Sequence, residues 1–159
     1  MIVKVNSQEQ LEACLNIIHE SFKTVADEFY LTRDNCPSHT AFISLEKLKT
    51  QYAEGRAMFL YEKGGENVGY FSINESGDTA ELDNLAVLPS CRHLGIGKEM
   101  IDFAKKYAKE HLHADKLTIG IIEENAVLKK WYESLGFIHT GTKKYSHLPF
   151  TVGFMEISL

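Results

Sequence analysis

Two glycines and two cations stand close together between residues 92 and 98, in the segment Arg-His-Leu-Gly-Ile-Gly-Lys. Gly95 and Gly97 let the backbone approach a ligand closely because they carry no Cβ atom. The segment leaves an apolar stretch and enters a long amphipathic pattern, so it lies at the start of a helix, where free N–H groups and the helix dipole attract anions. Arg92 and Lys98 add positive charge. We therefore predict a site for a phosphate or pyrophosphate group.

The spacing of these residues excludes two common nucleotide-binding loops. A dinucleotide fingerprint, GxGxxG, needs glycine at position 100, where the chain has Met100. That fingerprint also follows its strand directly, whereas Gly95 lies eight residues past Val87. A Walker A loop needs glycine at position 92 and Ser or Thr at position 99, where Arg92 and Glu99 stand. The predicted anion is therefore held by neither of these loops.

The pattern R-x-x-G-x-G over residues 92–97, preceded by an apolar strand, resembles the acetyl-CoA signature of the GNAT superfamily of N-acetyltransferases. A second segment, residues 125–137, reads NAVLKKWYESLGF and resembles that superfamily's N…Y-x-x-L-G-F element, which joins a helix to a strand. Two spaced motifs are far more specific than either alone. The chain is therefore identified as a member of the superfamily over nearly its whole length.

The resemblance implies where acetyl-CoA would bind as cosubstrate. The backbone groups of Leu85, Ala86 and Val87 would pair with the pantetheine arm like an added strand. The N–H groups of seven consecutive residues would hold the pyrophosphate: Arg92, His93, Leu94, Gly95, Ile96, Gly97 and Lys98. His93 and Leu94 depart from the family, which often has a small polar or basic pair there.

Asn125 and Tyr132 lie in the second motif. The resemblance implies that Asn125 hydrogen-bonds the pantetheine and that Tyr132 lies near the thioester sulfur and protonates the leaving thiolate. Each residue also has an interpretation without chemistry. Asn125 suits a helix N-cap, which is compatible with a cofactor contact, and Tyr132, next to Trp131, suits an aromatic core.

An amine that attacks a thioester must first lose a proton. An alkylamine with a pKa of roughly 10.4 is almost wholly protonated at pH 7, so a carboxylate that takes the proton assists the reaction. Glu81 and Asp83 lie two apart in a predicted strand and so share a face. We predict Glu81 as the general base, because it falls where some family members have a catalytic glutamate, with Asp83 as the second candidate. Without such a role, both would face solvent or only orient the substrate.

The elements that position these residues follow from the periodicity of apolar side chains. Helices are predicted over about residues 7–29, 44–53, 95–111 and 125–135, and strands over 2–5, 57–62, 68–74, 80–87, 117–122, 137–145 and 151–158. The apolar strand at 117–122 is expected to be central and covered on both faces. The order β-α-α-β-β-β-α-β-α-β-β predicts an α/β fold, a GNAT-like sandwich with a central mixed, mostly antiparallel sheet flanked by helices.

Length and composition limit the class of protein. A chain of 159 residues with 44% hydrophobic residues suits a single domain over residues 1–159 with a real core. The net charge of −5 disfavours a nucleic-acid partner, because such binding needs a basic face. No apolar run approaches the ~20 residues that span a bilayer, and the N-terminus lacks the features of a signal peptide. We therefore expect a cytoplasmic protein with no membrane partner.

The cysteines and histidines do not predict a metal site. Cys14, Cys36 and Cys91 form no CxxC pair and are odd in number, so neither a disulfide framework nor a zinc site is expected. His111 and His113 are two apart rather than four apart on one helical face. Cys91 is a conceivable nucleophile, but nothing in the sequence places a base beside it.

The resulting hypothesis is an acyltransferase that moves an acetyl group from acetyl-CoA to a primary amine by direct attack in a ternary complex. The alternatives are a non-catalytic acyl-CoA-binding sensor and an interaction protein that binds no CoA; Tyr132 and the strand carboxylates favour the enzyme. The acceptor is left open as a small-molecule amine or a protein amine, and the resemblance places its pocket beneath residues 30–42 and 144–150. Exposed strand edges also leave open a homodimer through a sheet edge or the last hairpin.

Overall fold

The computed structural model describes residues 1–159. It contains four α-helices and seven strands. The helices are α1 (Leu11–Glu28), α2 (Leu45–Ala53), α3 (Ile96–His111) and α4 (Ala126–Ser134). The strands are β1 (Ile2–Lys4), β2 (Ala57–Lys63), β3 (Glu66–Ser76), β4 (Thr79–Val87), β5 (Lys116–Ile122), β6 (Ile138–Lys144) and β7 (Thr151–Ser158). Every predicted helix and strand is present, in the predicted order. None of the helices combines the length and the apolar composition that crossing a bilayer requires.

The strands form one sheet in the order β1-β2-β3-β4-β5-β7-β6. β1 with β2, β2 with β3, β5 with β7 and β6 with β7 pair antiparallel, whereas β4 and β5 pair parallel. A parallel pair cannot be joined by a tight turn, so the chain returns through a crossover helix, here α3. The mixed, mostly antiparallel sheet flanked by helices confirms the predicted fold class.

Two compact units are distinguished within the chain. The first comprises Met1–Ile73 with Asn84–Ile101, and the second comprises Asn74–Asp83 with Asp102–Leu159. The core of the first unit is an apolar cluster of residues from α1, α2, the strands and the loops beside them: Val5, Leu11, Cys14, Ile17, Ile18, Ile43, Leu48, Met58, Leu60, Tyr70 and Ala86. Burying each large side chain of this kind contributes about 1.5–3 kcal/mol, which holds α1 and α2 in place.

Gly69 on β3 lets two neighbouring elements of the first unit approach closely. A Cβ atom there would lie 3.0 Å from the sulfur of Met100 on α3 and 3.1 Å from Cβ of Tyr61. The same atom would lie 3.4 Å from the carbonyl oxygen of Ala86 on β4. The absence of a side chain at Gly69 therefore brings the first turns of α3 and the end of β4 onto β3.

The strand β5 lies between β4 and β7 in the second unit, as predicted for a central strand. Leu117, Ile119 and Ile121 are buried on one face, but Thr118 on the other face is half-buried and Gly120 is exposed. The expectation that both faces are covered therefore holds at Ile122, which is buried on the second face, but not at Gly120. The small side chains on the second face leave an open depression of about 210 Å³.

Candidate functional site

The connection from β4 to α3 ends in a run of backbone N–H groups at the start of a helix. A 3₁₀ turn over Pro89–Cys91 is followed by two left-handed residues, His93 (φ +63°) and Gly95 (φ +84°), before the helix begins at Ile96. The N–H of Glu99 donates back to the carbonyl oxygen of Gly95 at 3.1 Å. The N–H groups of Ile96 and Gly97 precede this first bond and are not used within the helix. Successive N–H groups in such a loop at a helix start suit an oxyanion.

Gly95 is needed for its backbone conformation rather than for space. A Cβ atom at this position would meet nothing within 4 Å. Its φ of +84° is one that residues with a side chain adopt only at a cost. His93 has a side chain and accepts a similar conformation, which is an uncommon arrangement for a residue other than glycine.

The Arg92 side chain binds this loop to α1 and to the end of β4. Its guanidinium donates to the carbonyl oxygen of Ser21 on α1 at 2.9 Å, to Oγ of Ser21 at 3.3 Å, and to the carbonyl oxygen of Val87 at 3.3 Å. Burial lowers the pKa of this guanidinium from its ordinary value. The positive charge expected at the anion site is therefore used to bind α1 to the end of β4. The sequence carries no signal for this contact, because Ser21 lies 71 residues away.

The end of β4 carries the backbone expected to face the pantetheine. Ala86 is buried, and Leu85 and Val87 are half-buried. Asn84, directly before them, has a φ of +55° inside the strand. Its Oδ1 accepts a hydrogen bond from Oγ1 of Thr40 at 3.0 Å. Asparagine tolerates this conformation better than most residues, which is the only local signal for the irregularity in the strand.

Glu81 and Asp83 lie in the second unit, at the point where β4 and β5 stop pairing. The parallel ladder joins Thr79–Glu81 to Lys116–Thr118 and ends there. Ala80 and Leu82 are buried, whereas Glu81 is exposed and Asp83 half-buried, so the two carboxylates share the other face. Glu81 lines the depression on β5, together with Thr118, Gly120, Phe154 and Glu156 among others.

Tyr132 on α4 is buried, with 6% of its surface exposed. Its ring packs edge-on against Trp131 (centroid distance 4.9 Å) and Phe137 (5.4 Å). Burial raises the pKa of this phenol well above its ordinary value, which makes the hydroxyl a weaker acid; like any tyrosine, it is protonated at neutral pH. The residue is thus an aromatic core residue and is also in the protonation state that a general acid needs.

Asn125 caps α4, as the alternative interpretation of this residue predicted. Its Oδ1 accepts a hydrogen bond from the N–H of Leu128 at 3.2 Å. The other end of the helix is followed by Gly136 with φ +98°, the left-handed residue expected after a helix end. The motif therefore determines both ends of the short helix that carries Tyr132.

Glu123 is a charged residue of the second unit that the sequence analysis missed. Its Oε1 lies 2.6 Å from Nζ of Lys129 and its Oε2 lies 2.9 Å from Nε2 of His139. The hydrogen bond from Lys129, and after it that from His139, lowers the pKa of Glu123 from its ordinary value. A carboxylate before a helix can serve several purposes, so the sequence around Glu123 does not predict its contact with His139 on β6.

The other expectations about reactive groups concern metal ligands and Cys91. No group of three or more His, Cys, Asp or Glu side chains is arranged to hold a metal ion. Burial raises the pKa of the Cys14 thiol to about 12, which makes it inert. The side chain next to the sulfur of Cys91 is the hydroxyl of Ser90 at 3.8 Å, which is not a base at neutral pH.

A sequence model of the acetyltransferase (GNAT) family matches residues 15–137, which include the 92–98 loop, both strand carboxylates and Tyr132. The chain belongs to this family. The predicted superfamily and the predicted enzyme class, an acyltransferase acting on amine acceptors, are thereby confirmed. The assignment agrees with the independent observation that the loop before α3 suits an oxyanion.

Individual relatives agree with the family assignment. An uncharacterized N-acetyltransferase in the pepI 3′ region of Lactobacillus delbrueckii subsp. lactis is 30% identical over 149 residues, which cover 85% of this chain and 82% of the relative. The crystal structure of the ribosomal-protein-S18-alanine N-acetyltransferase of Escherichia coli has a TM-score of 0.78 at 17% identity, and the match covers 99% of this chain and 92% of that one.

A further GNAT family acetyltransferase, from Elizabethkingia anophelis, was solved with acetyl-CoA bound. Its TM-score is 0.61 at 20% identity, over 72% of this chain and 83% of that one. Acetyl-CoA, the predicted cosubstrate, is thus the ligand of a family member that shares this fold.

The contacts of Arg92 predict a loss of stability when its guanidinium is removed. Arg92→Met leaves the carbonyl oxygen of Ser21 without its charged donor, and we expect the free energy of unfolding to fall by about 1–2 kcal/mol in urea titrations. Arg33→Met is the matched control, because Arg33 is exposed and only lies over the ring of Phe42 at 5.1 Å. Equal stability of the two variants would contradict the role of Arg92.

Proposed function

We propose that this GNAT family member transfers an acetyl group from acetyl-CoA to a primary amine by direct attack in a ternary complex, as a single domain over residues 1–159. The observation that carries the proposal is the run of N–H groups at the start of α3. It suits the pyrophosphate of a CoA ester, because those groups belong to a helix start and are shaped by two left-handed residues, His93 and Gly95.

The donor would be held largely by backbone groups. The N–H groups of the segment from Arg92 to Lys98 bind the pyrophosphate, and the strand residues Leu85, Ala86 and Val87 pair with the pantetheine. The N–H of Arg92 donates to the carbonyl oxygen of Pro89 at 3.4 Å. We therefore assign the strongest phosphate contacts to the later N–H groups at the helix start. Asn125, beyond its cap bond, hydrogen-bonds the pantetheine.

The chemistry needs one proton removed and one donated. Bound acetyl-CoA supplies an acetyl group activated as a thioester. Glu81, which is exposed beside the depression on β5, takes a proton from the attacking amine, with Asp83 on the same face as the second candidate. Tyr132 donates its hydroxyl proton to the sulfur as the carbon–sulfur bond breaks. A phenol is already protonated at neutral pH, so the proton is present; because burial raises the pKa of Tyr132, the hydroxyl gives it up only as negative charge develops on the sulfur.

The first experiment measures thiol release from acetyl-CoA against a panel of small-molecule amines and peptides with free N-termini. We expect turnover on one amine class, and Tyr132→Phe is expected to lower kcat by about 10²-fold with unchanged acetyl-CoA affinity. Tyr52→Phe, on α2, is the control and is expected to behave as the wild type. Tight binding of acetyl-CoA without turnover on any amine would favour the non-catalytic sensor.

The general base is tested by pH profiles of Glu81→Gln and Asp83→Asn. A carboxylate base works only when deprotonated, so kcat/KM of the wild type rises with pH through the pKa of that group. We expect Glu81→Gln to lose about 10²-fold in kcat/KM at neutral pH and to lose the acidic limb. Asp83→Asn should keep both. A reversed result would assign the base to Asp83, and an intact limb in both would remove the strand carboxylates from the role.

The proposed phosphate site in the 92–98 loop is tested with a pair of glycine variants. Gly95→Ala and Gly64→Ala both place a Cβ in open space at a left-handed residue (φ +84° and +61°), so each should lose about 1–2 kcal/mol of stability. Only Gly95→Ala should also weaken acetyl-CoA binding in calorimetry, by about tenfold, which is the loss of one charge-assisted hydrogen bond. Equal affinities of the two variants would contradict the proposed phosphate site.

A further inference from the structure

One carboxylate joins three elements of the second unit. Glu123 directly follows β5, and it binds Lys129 on α4 at 2.6 Å and His139 on β6 at 2.9 Å. The three side chains are only 22–27% exposed. Charge-assisted hydrogen bonds of this length in a partly buried place hold their groups much more firmly than an exposed ion pair does. We call these three residues the Glu123 bridge.

Gly153 on β7 provides the space for this bridge. The residue is buried and lies opposite Ile121 on β5 and Thr142 on β6. A Cβ atom there would overlap Oε2 of Glu123 and would lie 3.2 Å from Cγ1 of Ile121. A glycine inside a strand ordinarily weakens the strand. Here the carboxylate of Glu123 occupies the space that a side chain at Gly153 would fill.

The helix that the bridge holds is short. α4 has nine residues, and an isolated helix of this length is not stable in water, so its position depends on contacts with other elements. Lys129 lies one turn before Tyr132 on this helix. Upstream, the N–H of Glu123 donates to the carbonyl oxygen of Thr151 at 2.9 Å, and Oε1 of Glu124 accepts from the N–H of Thr151 at 3.1 Å.

We propose that Glu123 is a positioning residue: through Lys129 it holds α4, and with it the Tyr132 hydroxyl, in the place where the acetyl transfer needs it. This inference deepens the proposed function and rests on the role of Tyr132 in it. The carboxylate is anionic at neutral pH, as an ordinary glutamate is, and the hydrogen bonds from Lys129 and His139 lower its pKa further. Glu123 itself touches no reacting atom and is therefore not a catalytic residue.

Five variants separate positioning from general stability. Glu123→Gln removes the charge, and Gly153→Ala displaces the carboxylate while leaving Glu123 in the sequence. Glu133→Gln, at an exposed site on the same helix, is the matched control. Lys129→Met with its conservative partner Lys129→Arg supplies a milder pair, in case the first two variants fail to fold.

Two readouts are measured on folded protein. Trp131 is the only tryptophan of the chain and its ring lies 4.9 Å from that of Tyr132, so its fluorescence reports on this part of α4 without a substrate. We expect Glu123→Gln, Gly153→Ala and Lys129→Met to shift its emission and its quenching by acrylamide. In thiol release, the same variants should lower kcat by about 10²-fold with unchanged KM for acetyl-CoA. Glu133→Gln and Lys129→Arg should match the wild type in both readouts.

The outcomes separate this inference from the proposed function. Wild-type emission and kcat in Glu123→Gln would overturn the inference, as would a loss of activity that follows only the unfolded fraction. If the wild-type protein releases no thiol with any amine, the proposed function fails. The Trp131 signal then still decides whether Glu123 holds α4, since a shift in the bridge variants but not in Glu133→Gln supports that step and an unchanged signal overturns it.

Discussion

An α-helix leaves its first N–H groups without partners inside the helix, and the most informative feature of this protein is where α3 begins. The helix starts at Ile96, shortly after β4 ends at Val87, so unpaired donors and the end of a strand lie close together along the chain. Several features of the first unit serve this junction. Left-handed residues shape the loop, Gly69 lets α3 and β4 approach β3, and the Arg92 guanidinium binds the loop to α1. A single helix start thus determines much of the packing around it.

Burial has two consequences in the second unit. It makes Tyr132 part of an aromatic core with Trp131 and Phe137, and it raises the pKa of the phenol, which makes the hydroxyl less acidic than that of an ordinary tyrosine. The same burial therefore makes Tyr132 a core residue and changes the acidity of its hydroxyl. Asn125 is similar in structure, because its Oδ1 accepts the cap bond from Leu128 and sets the start of α4, while its side-chain NH₂ group takes no part in the cap.

The parts of the candidate site that the sequence predicts are those with local causes. Apolar periodicity predicts every helix and strand, and the glycines of the 92–98 segment predict a backbone that turns sharply before a helix. What is missed has distant causes. Arg92 meets Ser21 across 71 residues, and Asn84 meets Thr40 across 44. The exposure of Gly120 on β5 is missed because an apolar run indicates burial of a strand but not the depression that its own small residues leave.

The sequence by itself determined the family, the order of elements, the sharp turn before α3 and the helix that carries Tyr132, because caps, turns and amphipathic patterns depend on neighbouring residues. Only the tertiary structure decided which charges face which. It showed that Arg92 binds the loop to α1 and that Glu123 is bound by Lys129 and His139 in the space left by Gly153. The physical reason is that a charge interacts with whatever the fold brings within a few ångströms, and that distance is set by packing rather than by position along the chain.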